Sequence, residues 1–157
     1  NHIIQNDIKN VVVLTGDIHS SWANDLPTAS YNSSTGAGSV GVEFVTPSVT
    51  SPGLNLPGGA SAVQLANSHV KFCNLNQKGF VLLDVNKNRT QADWFFVSTI
   101  DQPSSTFSHA RSHYVNNNER FLRNIPSVSF AKPELTNSIQ ANECPRIILP
   151  PPPPPPT

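Results

Sequence analysis

The sequence predicts a layered α/β (α+β) fold that carries an antiparallel β-meander, and three observations predict it. First, Val11-Val12-Val13-Leu14 is an unbroken apolar run with three β-branched residues, stopped by Gly16, and reads as a buried strand. Second, a helix-like spacing of Ile4 and Ile8 comes just before it, so a helix feeds a strand. Third, residues 70–97 hold three strand-like segments separated by short polar turns.

In chain order, residues 2–8 read as the last turns of a helix, and Lys9-Asn10 turns into the strand at 11–15. Residues 24–41 are rich in Gly, Ser and Thr and read as a surface loop. The alternation Gly41-Val42-Glu43-Phe44-Val45-Thr46 predicts a second strand, ended by Pro47. Residues 48–62 have no periodicity and predict a long loop, of the length that tends to be functional. Val70–Leu75, Phe80–Val85 and Thr90–Val97 then form the expected meander, with turns at 76–79 and 86–89. From 104 to 149 the patterning weakens to polar runs, with room for one or two edge strands. Pro150–Pro156 predicts a polyproline II spacer, because proline cannot donate to a ladder or a helix. The expected organisation is therefore 1–103, 104–149 as a weakly structured extension, and a tail at 150–157.

Composition excludes several classes. The 157 residues suit one domain, with 37% hydrophobic and 13% charged residues. Ten basic residues balance ten acidic ones, and no Lys/Arg run offers a nucleic-acid footprint. No apolar stretch approaches the roughly 18 residues that span a bilayer. The sequence has no Met and no signal peptide, so it reads as an internal or C-terminal piece of something longer. Cys73 and Cys144 form no CxxC and lack partners at zinc-ligand spacing; isolated thiols are the expected state.

The chemistry concentrates at Gly16-Asp17-Ile18-His19-Ser20-Ser21-Trp22, just past the first strand. If the extended backbone continues, Asp17 and His19 point the same way. A carboxylate with an imidazole is a mixed donor set that suits Fe, Zn or Mn, at the carboxyl end of a strand where open sheets place their sites. The competing reading is a strand-end turn with Asp17 as a cap. Asn67-Ser68-His69 precedes the next strand; Asn67 can hydrogen-bond an anion and His69 can bind a metal or move a proton, or the trio is a polar turn. Ser20 and Ser21 lack a nucleophile elbow and read as caps. His109 and His113 have helical ligand spacing without the Glu of a zinc-protease pattern, and read as coincidence. Trp22, Trp94, Phe95 and Phe96 read as core, and Glu43 stays unassigned.

Four ordered blocks carry a resemblance: Leu14-Thr15-Gly16-Asp17-Ile18-His19-Ser20-Ser21-Trp22, Val42 through Gly53, Asn67-Ser68-His69-Val70-Lys71-Phe72, and Lys78-Gly79-Phe80. Over residues 1–100 they resemble the C-terminal half of PhoD-like alkaline phosphatases. The resemblance implies the C-terminal half of a four-layer α/β/β/α metallophosphatase sandwich, with a multinuclear site holding iron and calcium. It implies Asp17 and His19 as metal ligands, Asn67 as a substrate-binding residue, His69 as a catalytic one, and the 48–62 loop at the entrance. Two departures stand out. Ser68 replaces a common Pro. The family's other ligands, among them an Asn-His-Asp/Glu motif and a Cys or Tyr, come from an N-terminal half that this sequence does not contain, and Cys73 lies in the wrong block to replace them.

The sequence-level expectation is thus part of a secreted or periplasmic metal-dependent phosphatase. It would act on phosphomonoesters or phosphodiesters by metal-activated water or hydroxide, with the site incomplete in this piece. The location rests on the family and the low charge. A non-catalytic β-rich binding or scaffold module, or an inactive truncated paralogue, is the alternative.

Overall fold

A computed structural model describes residues 2–54 and 56–129. Cys144, the expected polyproline spacer and most of the 104–149 segment beyond 129 lie outside the described residues. The elements run α1 (His2–Gln5), β1 (Val12–Thr15), β2 (Ser21–Pro27), β3 (Ser39–Val45), α2 (Gly59–Ala66), β4 (Val70–Asn74), β5 (Gly79–Val85), β6 (Arg89–Val97), β7 (Phe107–Asn116) and β8 (Arg123–Ile125). Two four-stranded sheets form, ordered β1-β3-β2-β4 and β5-β6-β7-β8. The first is mixed, with β1 parallel to β3 and the other pairs antiparallel; the second is wholly antiparallel. The fold is α+β, with two β layers and little helix among the described residues.

The sheets face each other across one core of Ala23, Val42 and Phe44 from the first and Ala92, Trp94 and Val115 from the second, closed by Leu122. Trp94 is fully buried and joins the layers: its Nε1 donates to the Val45 carbonyl at 3.1 Å, and its ring meets Phe44 and Phe72 edge-on at 5.8 and 5.3 Å. The indole thus fills apolar space while its one polar atom is satisfied. A smaller cluster, Val70, Cys73 and Leu75, lies under Trp22, Leu54, Ala60 and Val63.

Several expectations need correction. The run at 11–15 is a strand but not a buried one: Val13 is 39% and Leu14 60% exposed. β1 is the outermost strand of its sheet and pairs with β3 alone, so its apolar residues are uncovered among the described residues. Leu82, Leu83 and Val85 on the edge strand β5 are exposed in the same way.

Residues 24–27, expected as the start of a polar loop, belong to an inner strand, β2. Ser21, Ala23 and Asp25 alternate inward, all fully buried. The period of two is there, but small and charged side chains carry it, so it does not register as hydrophobic alternation. Within the expected 48–62 loop, α2 starts at Gly59. Its alanines favour helix, and Ala60 and Val63, three apart, pack on the Val70–Leu75 cluster.

The antiparallel meander is present, but it consists of β5 through β8. The segment at 70–75, expected as its first arm, pairs with β2 in the other sheet. The residues after it make a crossover between sheets, with Asn74 Oδ1 accepting from the Asn76 and Gln77 amides and Gly79 N donating to Ser48 O at 3.1 Å. Gly79 is required there, since a Cβ would stand 1.9 Å from the Phe95 carbonyl oxygen.

Beyond 104, β7 is a ten-residue strand between β6 and β8, and only β8 is an edge. It hides from apolar patterning because its buried residues include Ser112 and His113, one on each face. Buried Asp93 on β6 meets Ser112: it accepts from Gln91 Nε2 at 2.8 Å, from the Ser112 hydroxyl, and from the Ser129 amide and hydroxyl.

Candidate functional site

The parallel pair β1 and β3 ends together, with Thr15 opposite Val45 and Thr46 N donating to Thr15 O at 2.9 Å. Below that end, Glu43 clamps three strands: it accepts from Thr15 Oγ1 at 2.6 Å and Asn24 Nδ2 at 2.8 Å. The carboxylate left open by the sequence is therefore a brace under the strand ends.

The backbone does not stay extended past Gly16, as a shared face for Asp17 and His19 would require. Ile18 N donates to Gly16 O at 2.9 Å, closing a three-residue turn with Asp17 at φ 73°. His19 follows at φ 59°. Gly16 itself is not left-handed, and a Cβ on it would make only ordinary contact with Thr46. The left-handed conformation falls on the two candidate ligands instead, where it costs a non-glycine residue about 1–3 kcal/mol.

Ser20, fully buried, anchors the bend. It accepts from Trp22 Nε1 at 2.7 Å, with its hydroxyl 3.4 Å from Ile18 O. That brace, rather than a helix cap, is its role. Asp17 is exposed and His19 half-buried, and neither side chain makes a hydrogen bond or ion pair among the described residues. Strained backbone, a tight brace beneath it and two unengaged donor side chains meet at one sheet end.

As donors, a carboxylate and an imidazole fit a transition metal. Two ligands are fewer than the four of even a tetrahedral site, and no group of three His, Cys, Asp or Glu able to hold a metal occurs among the described residues. The donor types fit and their number does not suffice, so further ligands have to come from outside the described residues. Cys73 is not one: burial pushes its thiol up to about 11, leaving it protonated and inert.

Asn67 and His69 are brought together, but not to this bend. Asn67 caps α2, its Nδ2 donating to Val63 O at 2.9 Å. The His69 carbonyl accepts from Asp25 N at 2.9 Å, at the far end of β2. The register puts Thr15, Val45, Trp22 and Cys73 at one level and Asp25 with His69 three residues away along β2, on the opposite side of the sheet's strand order. The separation is on the order of 15 Å. Pocket lining at the Asp17 bend, expected of both residues, is not what the fold gives them. His109 and His113 lie on β7, so their spacing is not helical.

Sequence reasoning missed Lys78 as a separate feature. Its Nζ is buried and makes no hydrogen bond among the described residues. It sits beside the Ser48 carbonyl that receives Gly79 N, at the same end of the sandwich as the bend. A buried ammonium without a partner is a costly positive charge, and nothing in the local pattern Gln77-Lys78-Gly79 distinguishes it from a turn lysine.

The family model for PhoD-like phosphatase matches residues 1–94, a span that includes the strand ends and the bend. The chain is 31% identical over 131 residues to alkaline phosphatase D of Bacillus subtilis (strain 168), covering 82% of this chain and 22% of that protein. A solved structure titled "Structure of PhoD" superposes with a TM-score of 0.66 at 29% identity, covering 81% of this chain and 24% of that one. The chain thus spans about a fifth to a quarter of the length of these relatives. With the family model matching more than half of its residues, the chain belongs to the PhoD-like phosphatase family.

Proposed function

We propose that the chain is part of a metal-dependent phosphatase or phosphodiesterase, in which Asp17 and His19 are two of the ligands to a multinuclear centre of iron and calcium. The observation that carries the reading is the bend itself: two consecutive odd-numbered positions hold left-handed backbone, carry the two donor side chains, and leave both unengaged. A fold keeps such strain where the arrangement has a use.

A bound metal supplies Lewis-acid polarisation of the phosphoryl group and activation of the attacking water. The chain's own residues set the stage. Asp17 offers a carboxyl oxygen and His19 a ring nitrogen. The Ser20–Trp22 bond fixes the bend from beneath, and the Thr15–Glu43–Asn24 clamp holds the strands from which it springs. The remaining ligands and the rest of the substrate pocket belong to the whole protein. Location outside the cytoplasm is part of the same proposal, and fractionation of the host cells checks it.

A non-catalytic module, or an inactive paralogue, is favoured by one observation, the candidate ligand set that stops at two among the described residues. The experiment that separates these readings assays the product of the whole gene on p-nitrophenyl phosphate and bis-p-nitrophenyl phosphate, beside Asp17→Ala and His19→Ala, with metal content measured. Metal-dependent hydrolysis that falls about 100-fold or more in each variant is expected. A folded, metal-free, inactive parent overturns the phosphatase reading.

A further inference from the structure

At the other end of β2 lies a cleft of about 490 Å³ between the Ser33–Gly36 loop and strands β4, β7 and β8. That volume is in the range of small-molecule sites. Lys71, Arg111 and Arg123 line it against a single carboxylate, Asp25. Asp25 is buried and already served: Tyr31 Oη donates to it at 2.6 Å, Leu122 N at 2.7 Å, and Lys71 Nζ lies at 3.6 Å. Arg123 is held by Glu119 at 2.6 Å. Arg111 is exposed and has no ion pair or hydrogen bond among the described residues.

His113 lines the same cleft and is 2% exposed, stacked on Phe72 at 6.2 Å with Trp94 edge-on. Neither ring nitrogen completes a hydrogen bond among the described residues, although the Arg123 backbone leans toward the ring and favours its protonated form. A buried polar group left so is costly, and a ligand accepting its N–H offsets that cost.

We propose that this cleft binds a small oxyanion, a phosphoryl or carboxylate group, between the Arg111 guanidinium and the His113 ring. Arg111 offers a bidentate fork of donors, the geometry that suits such groups. The ring is neutral near pH 7: burial, then the charges of Arg111 and Lys71, hold it down to about 4. It therefore adds one N–H without repelling the cations beside it. Asp25, the one carboxylate lining the cleft, is paired with Lys71 and accepts hydrogen bonds from Tyr31 and the Leu122 amide. An anion on Arg111 removes part of the positive potential on the ring, so binding raises the His113 pKa. The site is on the order of 15 Å from the Asp17–His19 bend and does not depend on the phosphatase reading.

The test titrates inorganic phosphate and, separately, citrate into the whole chain at fixed ionic strength, with chloride as control. Binding is read by calorimetry and by the His113 ring resonances in NMR. Saturable binding of either anion is expected, with the ring resonances shifted and their titration moved to higher pH. Arg111→Gln should weaken it about tenfold or more, His113→Phe should weaken it while keeping the aromatic stack, and Asp17→Ala with His19→Ala should leave it intact. Phosphate alone assigns a phosphoryl ligand, citrate alone a carboxylate; both support the site. No saturable response to either anion, or binding insensitive to Arg111→Gln and lost in Asp17→Ala, overturns it.

Discussion

Asp17 and His19 illustrate how residue type and backbone geometry can part company in a sequence reading. The pattern Gly-Asp-x-His after an apolar strand pointed to donors at a sheet end, and the structure places them there. The reason given, a shared face of an extended strand, was wrong, because local alternation says nothing about a three-residue turn closed by Ile18 N. The strain makes a prediction at this scale. Asp17→Gly relieves the left-handed backbone while adding chain entropy to the unfolded state, so stability should stay within about 1 kcal/mol of the parent. Metal binding should be lost, and calorimetry beside metal analysis reads both.

His113 gives a second residue-scale prediction. Its ordinary value of 6.5 falls to about 4 in the fold, so the folded chain binds fewer protons than the unfolded chain between those limits. Its contribution to stability is complete above pH 6.5 and is lost as the pH falls toward 4. Denaturant unfolding across that window should show the loss in the parent and much less of it in His113→Phe.

Among the elements, those built on apolar alternation were legible: 41–46, 80–85 and 90–97 are strands close to where they were expected. The elements that escaped are the ones with polar inward residues. β2 turns Ser21 and Asp25 inward, and β7 buries Ser112 and His113 on its two faces. Asp25 is served by the Leu122 amide and Ser112 by Asp93, partners far away in sequence that no window of ten residues contains, whereas Ser21 Oγ and the His113 ring make no hydrogen bond among the described residues. Partner choice escaped as well, since β4 has strand patterning but pairs with β2 and not β5.

The β6–β7 network tests this account. Burial pushes Asp93 up, and hydrogen bonds from Gln91, Ser112 and Ser129 outweigh it and hold the carboxyl below its ordinary 3.8. Asp93→Asn replaces an acceptor by a donor facing hydroxyls and an amide, and should cost about 2 kcal/mol. The depressed carboxyl stabilises the fold above its ordinary value and ceases to as the pH falls through the lowered one. The variant should therefore lack this component of acid unfolding, which lies below the His113 window. An Asp93→Asn protein with unchanged urea midpoint would show that the network does not stabilise the sheet.

At the scale of the whole molecule, two sheets joined through Trp94 make a core, and the strand ends above that core carry the bend. The same architecture leaves β1 and β5 with exposed apolar residues, and among the described residues it gathers no group of three His, Cys, Asp or Glu able to hold a metal. Among the described residues no helix is long and apolar enough to cross a membrane. The family was legible in the sequence because four short blocks keep their order. The placement of Asn67 and His69 was not, because block order carries no information on which end of a sheet a block occupies.

The most direct measurement is an anomalous-scattering map of metal-loaded crystals of the whole gene product. The account predicts a metal about 2.0–2.2 Å from a carboxylate oxygen of Asp17 and a ring nitrogen of His19, with its other ligands from outside the described residues. A metal held elsewhere, with both side chains uncoordinated, would contradict it.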